Sequence, residues 1–162
     1  MGKLIVQSCV FTLLIGFSSI GFADPVCTIK AETFLKKLPS VKSRVSWRVG
    51  KYMPFMATGK EEGLFLEVRD VDGQQHWISK KDVSKQVNCV VVKATSAKLK
   101  TGPGKSYDNS PLGLADKYTP FLDIGGEDGW TQVKDDSGII SWIQIDQLWR
   151  VRKKVRMSFD RG

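Results

Sequence analysis

Short stretches in which apolar and polar residues alternate recur along this chain. Residues 63–70 alternate strictly, with Leu64, Leu66 and Val68 on one predicted face and Phe65 on the other. Cys89–Val92 is a continuous apolar run that is rich in β-branched residues, which is typical of a buried strand. Because no window of a dozen residues has helical spacing, the pattern predicts strands throughout.

Turn signals separate the predicted strands. Asp72-Gly73 and Ser137-Gly138 lie between strand patterns, where such dipeptides favour tight hairpins. The chain of 162 residues also contains 15 glycines and 5 tryptophans, a mixture that suits turn-rich β-structure. The sequence therefore predicts an all-β protein.

An internal repeat divides the chain into two similar parts. The matching segments keep their order and are separated by 64 to 66 positions. The pairs are Leu35–Pro39 with Leu99–Pro103, Lys51–Phe55 with Lys117–Phe121, Val68–Asp70 with Val133–Asp135, Gly73 with Gly138, Trp77-Ile78 with Trp142-Ile143, and Val83 with Leu148. We expect two domains of one fold, at residues 26–85 (the first repeat) and 88–149 (the second repeat). The short join between them predicts that they sit close together with limited relative motion.

The order of these motifs resembles the bacterial SH3-like (SH3b) family. The resemblance covers residues 26–149, and Leu99–Gly104 is similar to the family's "LRxGPG" loop, with Lys100 in place of arginine. The first repeat departs further, with Lys37, Leu38 and Ser40 in place of small residues and glycines. The resemblance implies two tandem small SH3-like β-barrels that recognise cell-wall peptides or extended protein segments.

Residues 1–23 have the pattern of a secretory signal peptide. A positive start at Lys3 precedes an apolar run from Val10 to Ile20, and small residues end at Ala23. An uncleaved membrane anchor is the alternative, but the run is shorter than the roughly 20 apolar residues of a membrane span. We therefore expect an exported protein, periplasmic in a Gram-negative cell and otherwise secreted or wall-associated.

Export bears on the cysteines and on the basic charge. Cys27 and Cys89 remain after cleavage, and an even pair in an oxidising compartment favours a disulfide over two reduced thiols. Residues 24–149 carry 18 basic and 16 acidic side chains, whereas residues 150–162 carry six and one. This basic tail alternates like an added strand, with contact to an anionic membrane surface as the less favoured alternative. Nucleic acid is not an expected partner of an exported chain.

Aromatic residues in one groove of each predicted barrel, between the long first loop and the hairpin, are the candidate binding residues. Trp130 shares a predicted face with Gln132 and Lys134, and an indole in such a place is an informative exposure. Aromatic rings suit the recognition of extended peptides because they offer area at little entropic cost. The alternative for each ring is packing on or between the barrels. The predicted ligand-binding set is Tyr107, Tyr118, Trp130 and Trp142 in the second repeat, and Trp47, Tyr52, Phe65 and Trp77 in the first.

Catalytic and metal-binding patterns are weak. His76 is the single histidine, and the two cysteines are far apart in the sequence. These residues do not form the cluster of ligands that a zinc site needs, or the thiol and nearby base of a cysteine nucleophile. The sequence predicts no cofactor, no metal and no enzyme activity. We expect a binding module for peptidoglycan or envelope-protein peptides. The rival interpretations are a structural or assembly protein whose barrels are spacers and, less favoured, a cell-wall hydrolase.

Overall fold

The fold is given by a computed structural model that describes residues 24–151. The predicted signal peptide, residues 1–23, lies outside the described residues, as does the basic tail from position 152 onward. Cleavage near Ala23 and the added strand in the tail therefore stay predictions.

Seven antiparallel strands form the first sheet. They are β1 (Asp24–Thr28), β2 (Thr33–Lys36), β3 (Val45–Val49), β4 (Pro54–Glu62), β5 (Phe65–Arg69), β6 (Gln75–Ser79) and β7 (Val83–Ser84). Their hydrogen-bonded order is β3-β2-β6-β5-β4-β1-β7. A single turn of 3-10 helix, Lys80–Asp82, connects β6 to β7.

The second sheet repeats this arrangement. Its strands are β8 (Cys89–Val92), β9 (Ser96–Lys100), β10 (Asn109–Asp116), β11 (Pro120–Glu127), β12 (Trp130–Lys134), β13 (Ile140–Gln144) and β14 (Leu148–Trp149). Their order, β10-β9-β13-β12-β11-β8-β14, is that of the first sheet with each strand replaced by the one seven places later. The 3-10 turn recurs as well, at Ile145–Gln147. Within residues 24–151 the protein is all-β, with no α-helix.

The pairing differs in one respect from the closed barrels that the sequence analysis expected. In the described part of the chain, the ladder of each sheet runs from one edge strand to the other, and no ladder joins those two edges. Each half is thus a seven-stranded antiparallel sheet that is open along one seam. In the first sheet the two edge strands are β3 and β7, and β7 contributes only two residues.

Each sheet encloses its own apolar core. The first is built around Phe55 and Leu35, and the second around Phe121 and Leu99, all of which are fully or almost fully buried. Phe55 and Phe121 are matching residues of the two Lys-Tyr-x-Pro-Phe segments, which explains why that motif is retained in both repeats. The strand alternation also holds for most of residues 65–69, but Leu64 lies in the hairpin turn and is largely exposed, contrary to the predicted face.

Strand β8 joins the two halves. Val90 and Val92 point into the second core, whereas Val91, between them, is buried in the first core. Trp149, which pairs with Val91 across β14 and β8, also packs against the first core. A four-residue apolar run with two buried faces is the reason that the two sheets share one packed junction.

A disulfide closes the same junction. Cys27 of β1 is bonded to Cys89 of β8, with a Cα–Cα distance of 6.1 Å, as the sequence predicted. The bond links residues separated by 62 positions, so it removes a large loop's freedom from the unfolded chain.

Replacing both cysteines by serine is expected to lower the free energy of unfolding by about 3–4 kcal/mol, because the unfolded chain regains that loop entropy. Urea denaturation followed by fluorescence measures the change. Reduction of the unmodified protein is the matched control and should give a similar loss. Equal stability of the oxidised, reduced and serine forms would contradict the prediction.

Candidate functional site

Two tight turns, one in each repeat, lie at the junction between the sheets. Tyr52 follows β3 and Tyr118 follows β10, and both have left-handed backbone conformations, with φ of 67° and 71°. Such a φ is uncommon for a residue with a bulky side chain and costs on the order of 1–3 kcal/mol. In both turns the tyrosine amide donates a hydrogen bond to the first strand of its own sheet, at Thr28 and Val92.

The turn of the second repeat, at Lys117 and Tyr118, contacts the β5–β6 hairpin of the first repeat at Asp72. The Lys117 ammonium lies 3.1 Å from an oxygen of Asp72, and the Tyr118 hydroxyl donates to the other oxygen of the same carboxylate. The Tyr118 ring also meets the indole of Trp47 edge-on, with 5.4 Å between centroids. An ion pair, a hydrogen bond and an aromatic contact thus converge on one place.

The opposite contact has a looser form. The Lys51 ammonium, in the turn of the first repeat, lies 3.5 Å from Asp136 in the hairpin of the second. The junction therefore has the reciprocal pattern of a two-fold interface, in which the turn of each copy faces the hairpin of the other. We call these two turn–hairpin contacts the tight contact, at Asp72, and the loose contact, at Asp136.

Charged groups at both contacts have shifted pKa values, and at the loose contact Tyr52 and then Asp136 raise the pKa of Lys51. The Tyr118 hydroxyl and then the Lys117 ammonium lower the pKa of Asp72, because both donate to the ionised carboxylate. Tyr118 and then Asp72 raise the pKa of Lys117. Both groups stay charged across the pH range in which most proteins are stable. Tyr118 and Trp47, predicted as ligand-binding residues, thus contact each other within the molecule, and Tyr52 belongs to the matching turn.

Asp72→Asn is expected to destabilise the protein at neutral pH and to have progressively less effect in acid. A carboxylate whose folded-state pKa is lowered stabilises the fold above its unfolded pKa and loses that contribution as the pH falls through the folded value. Thermal unfolding of both forms between about pH 7 and pH 2 should show the difference shrinking below about pH 4. Asp136→Asn at the loose contact is the control and should lower the melting temperature by less. If Asp72→Asn lowers the melting temperature by the same amount at every pH, the prediction is contradicted.

The outer face of the second sheet carries two partly exposed tryptophans. Trp130 lies opposite Gln144, and Trp142 lies opposite Gln132 on the neighbouring strand. Because cross-strand partners and alternate residues share a face, both indoles stand diagonally on one surface, about 7–8 Å apart at the backbone. Lys100 of β9 flanks Trp142 on its other side. We call this surface the tryptophan face.

The corresponding surface of the first sheet is covered. Phe65 and Trp77 were expected to be exposed, but they are only 8% and 7% exposed. The Lys60 ammonium lies over the Trp77 ring, 5.1 Å from its centroid, and 3.7 Å from Glu67. A bulge produces this cover, since residues 58–60 of β4 oppose Glu67 alone on β5. The expectation of an exposed aromatic pair in each repeat is therefore wrong for the first.

Glycine keeps the second face open. Its bulge on β11 is shorter and places Gly125 where the first repeat has Lys60, and Gly126 where it has Glu61. A Cβ on Gly126 would lie 2.4 Å from the Trp130 carbonyl oxygen, so the close approach of backbone excludes a larger residue. A cavity of about 570 Å³ borders Trp130 here, and Glu127 and Asp128 give it acidic character.

Tyr107 occupies a loop of its own beside β9 and β10. Its ring covers Gly102, where a Cβ would lie 2.2 Å from a ring carbon, which explains glycine in the loop that resembles "LRxGPG". Tyr107 remains half exposed. Trp47 of the first repeat lies on strand β3, so Tyr107 and Trp47 are not equivalent residues.

His76, the single histidine, is a buried residue of strand β6. Its Nδ1 lies 2.8 Å from the Ser46 hydroxyl and its Nε2 3.0 Å from Asp70, which forms a Ser–His–Asp chain. In the second repeat Ser110 and Ser141 take the places of Ser46 and His76 and are 2.6 Å apart. The repetition of this polar link by two serines favours a tie between strands over catalysis.

The described residues contain no cluster of ligating side chains that could hold a metal ion. Over the same range, no helix has the length and apolar character to cross a membrane.

Comparison with known proteins identifies no family. No family model and no curated protein matches the chain. Two solved structures share a distant likeness: NlpC1 from Trichomonas vaginalis, with 18% identity, a TM-score of 0.36 and 94% of this chain covered, and NlpC2 from the same organism, with 16%, 0.36 and 87%. The chain spans 54% and 52% of those structures, about half of their length.

Proposed function

We propose that the protein is an exported, non-enzymatic binding module built from two SH3-like units, and that the tryptophan face of the second unit holds an extended peptide. The single observation that supports this most strongly is the difference between the two repeats. Phe65 and Trp77 are buried in the first sheet, Trp77 beneath Lys60, whereas Trp130 and Trp142 are partly exposed in the second.

Packing alone does not require indoles at these positions. Ile143 and Val133, on the opposite side of the same strands, are fully buried and complete the second core. Trp130 and Trp142 therefore add apolar area on the outside, where exposure has a free-energy cost unless a partner covers it. Aromatic anchors of this kind carry a large share of binding energy in peptide interfaces.

The surroundings favour particular peptides. Glu127 and Asp128 beside Trp130 suit a ligand with a free amine, and Lys100 beside Trp142 suits a carboxylate at the other end. Cell-wall stem peptides and envelope-protein segments both offer charged groups along an extended backbone. This complementarity supports peptidoglycan or envelope-protein peptides as the ligand class.

Changing Trp130 and Trp142 together to alanine is expected to weaken co-sedimentation with purified peptidoglycan sacculi, or capture of envelope peptides, by at least about tenfold. Phe34→Ala, which removes an exposed ring from the first sheet, should bind normally. Circular dichroism checks that both variants keep the β-sheet. Unchanged binding by the folded double variant would refute the proposed site.

A structural role is the second candidate, because Trp47 and Tyr118 are already used within the molecule. In that case the tryptophan face would be an assembly surface. Acrylamide quenching of the purified protein separates the two: accessible emission that Trp130→Phe diminishes supports an open face, whereas quencher-resistant emission together with an oligomer in sedimentation supports assembly.

A further inference from the structure

The two turn–hairpin contacts enclose very different spaces. The cavity at the tight contact measures about 230 Å³ and lies among Trp47, His76 and Tyr118. The one at the loose contact measures about 660 Å³ and lies between Lys51 of the first sheet and the apolar side chains of the second. Ligand sites range from about 300 to 1,000 Å³, so only the larger space has the size of a binding site.

A local insertion explains the difference. In the first repeat two residues, Trp47 and Arg48, separate Ser46 from the buried Val49. In the second repeat four residues, 111–114, separate the matching Ser110 from the buried Ala115, and the strand pairing shifts there. Where the first repeat places an indole at the contact, the second has Pro111, Leu112, Gly113 and Leu114.

The walls of the larger cavity have a mixed character. Its apolar lining consists of Leu99, Leu112, Leu114, Ala115, Pro120 and Phe121. Leu114 is 62% exposed, although it is a large apolar side chain. Among the described residues that line this space, the carboxylates of Asp116, Asp135 and Asp136 outnumber the ammonium of Lys51.

The geometry points to a second binding site at the loose contact, for a peptide segment in which an aromatic residue is flanked by a lysine or arginine. The aromatic ring takes the place that the Trp47 indole fills on the opposite side. The flanking cation meets Asp116 at the rim, which is exposed, while Asp136 is engaged by Lys51 at 3.5 Å. The site differs from the tryptophan face in position and in lining residues.

The test uses acetylated, amidated tripeptides and ¹H–¹⁵N NMR of the purified protein. Lys-Trp-Lys is expected to shift the amides of Leu112, Leu114 and Thr119, with an affinity at least about tenfold above that of Lys-Ala-Lys, because the indole supplies most of the buried area. Glu-Trp-Glu should bind about two- to fivefold more weakly than Lys-Trp-Lys, in keeping with the small value of solvent-exposed charge pairs.

Two variants locate the site. Leu112→Trp should fill the cavity and abolish the Lys-Trp-Lys shifts, and Asp116→Lys, at an exposed position, should remove the preference for Lys-Trp-Lys over Glu-Trp-Glu. The double alanine variant of Trp130 and Trp142 should keep the shifts at Leu112 and Leu114. This result separates failure of the second site from failure of the proposed function.

Shifts confined to residues around Trp130 would overturn the second site, and so would equal binding of the alanine and tryptophan peptides. Undiminished binding of Lys-Trp-Lys by folded Leu112→Trp would also overturn the second site. If Leu112→Trp does not fold, the Asp116→Lys comparison still decides, because a preference for cationic peptides that survives the charge reversal contradicts the assigned rim.

Discussion

The burial of strand β8 on both of its faces is the constraint on which the rest of the structure depends. Val90 and Val92 are part of one core and Val91 is part of the other, so both cores depend on the four residues of β8. Each buried valine contributes on the order of 1.5–3 kcal/mol. The disulfide to Cys89 holds this strand against β1. The relative placement of the two sheets, and with it the turn–hairpin contacts, follows from this shared strand.

Duplication of one fold has produced two halves with different surfaces. The backbone plan is the same, and matching residues such as Phe55 and Phe121 centre the two cores. The differences arise where the repeats vary in length by one or two residues. A longer bulge in the first repeat brings Lys60 over Trp77, and a longer segment in the second removes the indole from the loose contact. Small differences in length thus leave surfaces uncovered in the second half that are covered in the first.

Much of the fold was predictable because it depends on local, periodic signals. Alternation, β-branched runs and Gly-containing turns predicted the strands, and the repeat predicted that both halves share one topology. The pairing of Cys27 with Cys89 also followed from the even number of cysteines. The candidate site was less predictable. Alternation placed Phe65 and Trp77 on the outer face but could not show that both would be buried, or that Lys60 of another strand would cover Trp77.

The amino-acid sequence by itself determined the all-β architecture, the two equivalent halves and the face of each strand on which the aromatic residues lie, because these depend on spacing along the chain. The tertiary structure alone decided which of those aromatics are accessible. Tyr118 meets Trp47 because the packing of β8 brings one repeat's turn against the other's hairpin, and Trp142 is partly exposed next to a bulge where Gly125 takes the place of Lys60. The exposed fraction of a side chain depends on the residues that surround it in space, and the packing of the strands decides which residues those are.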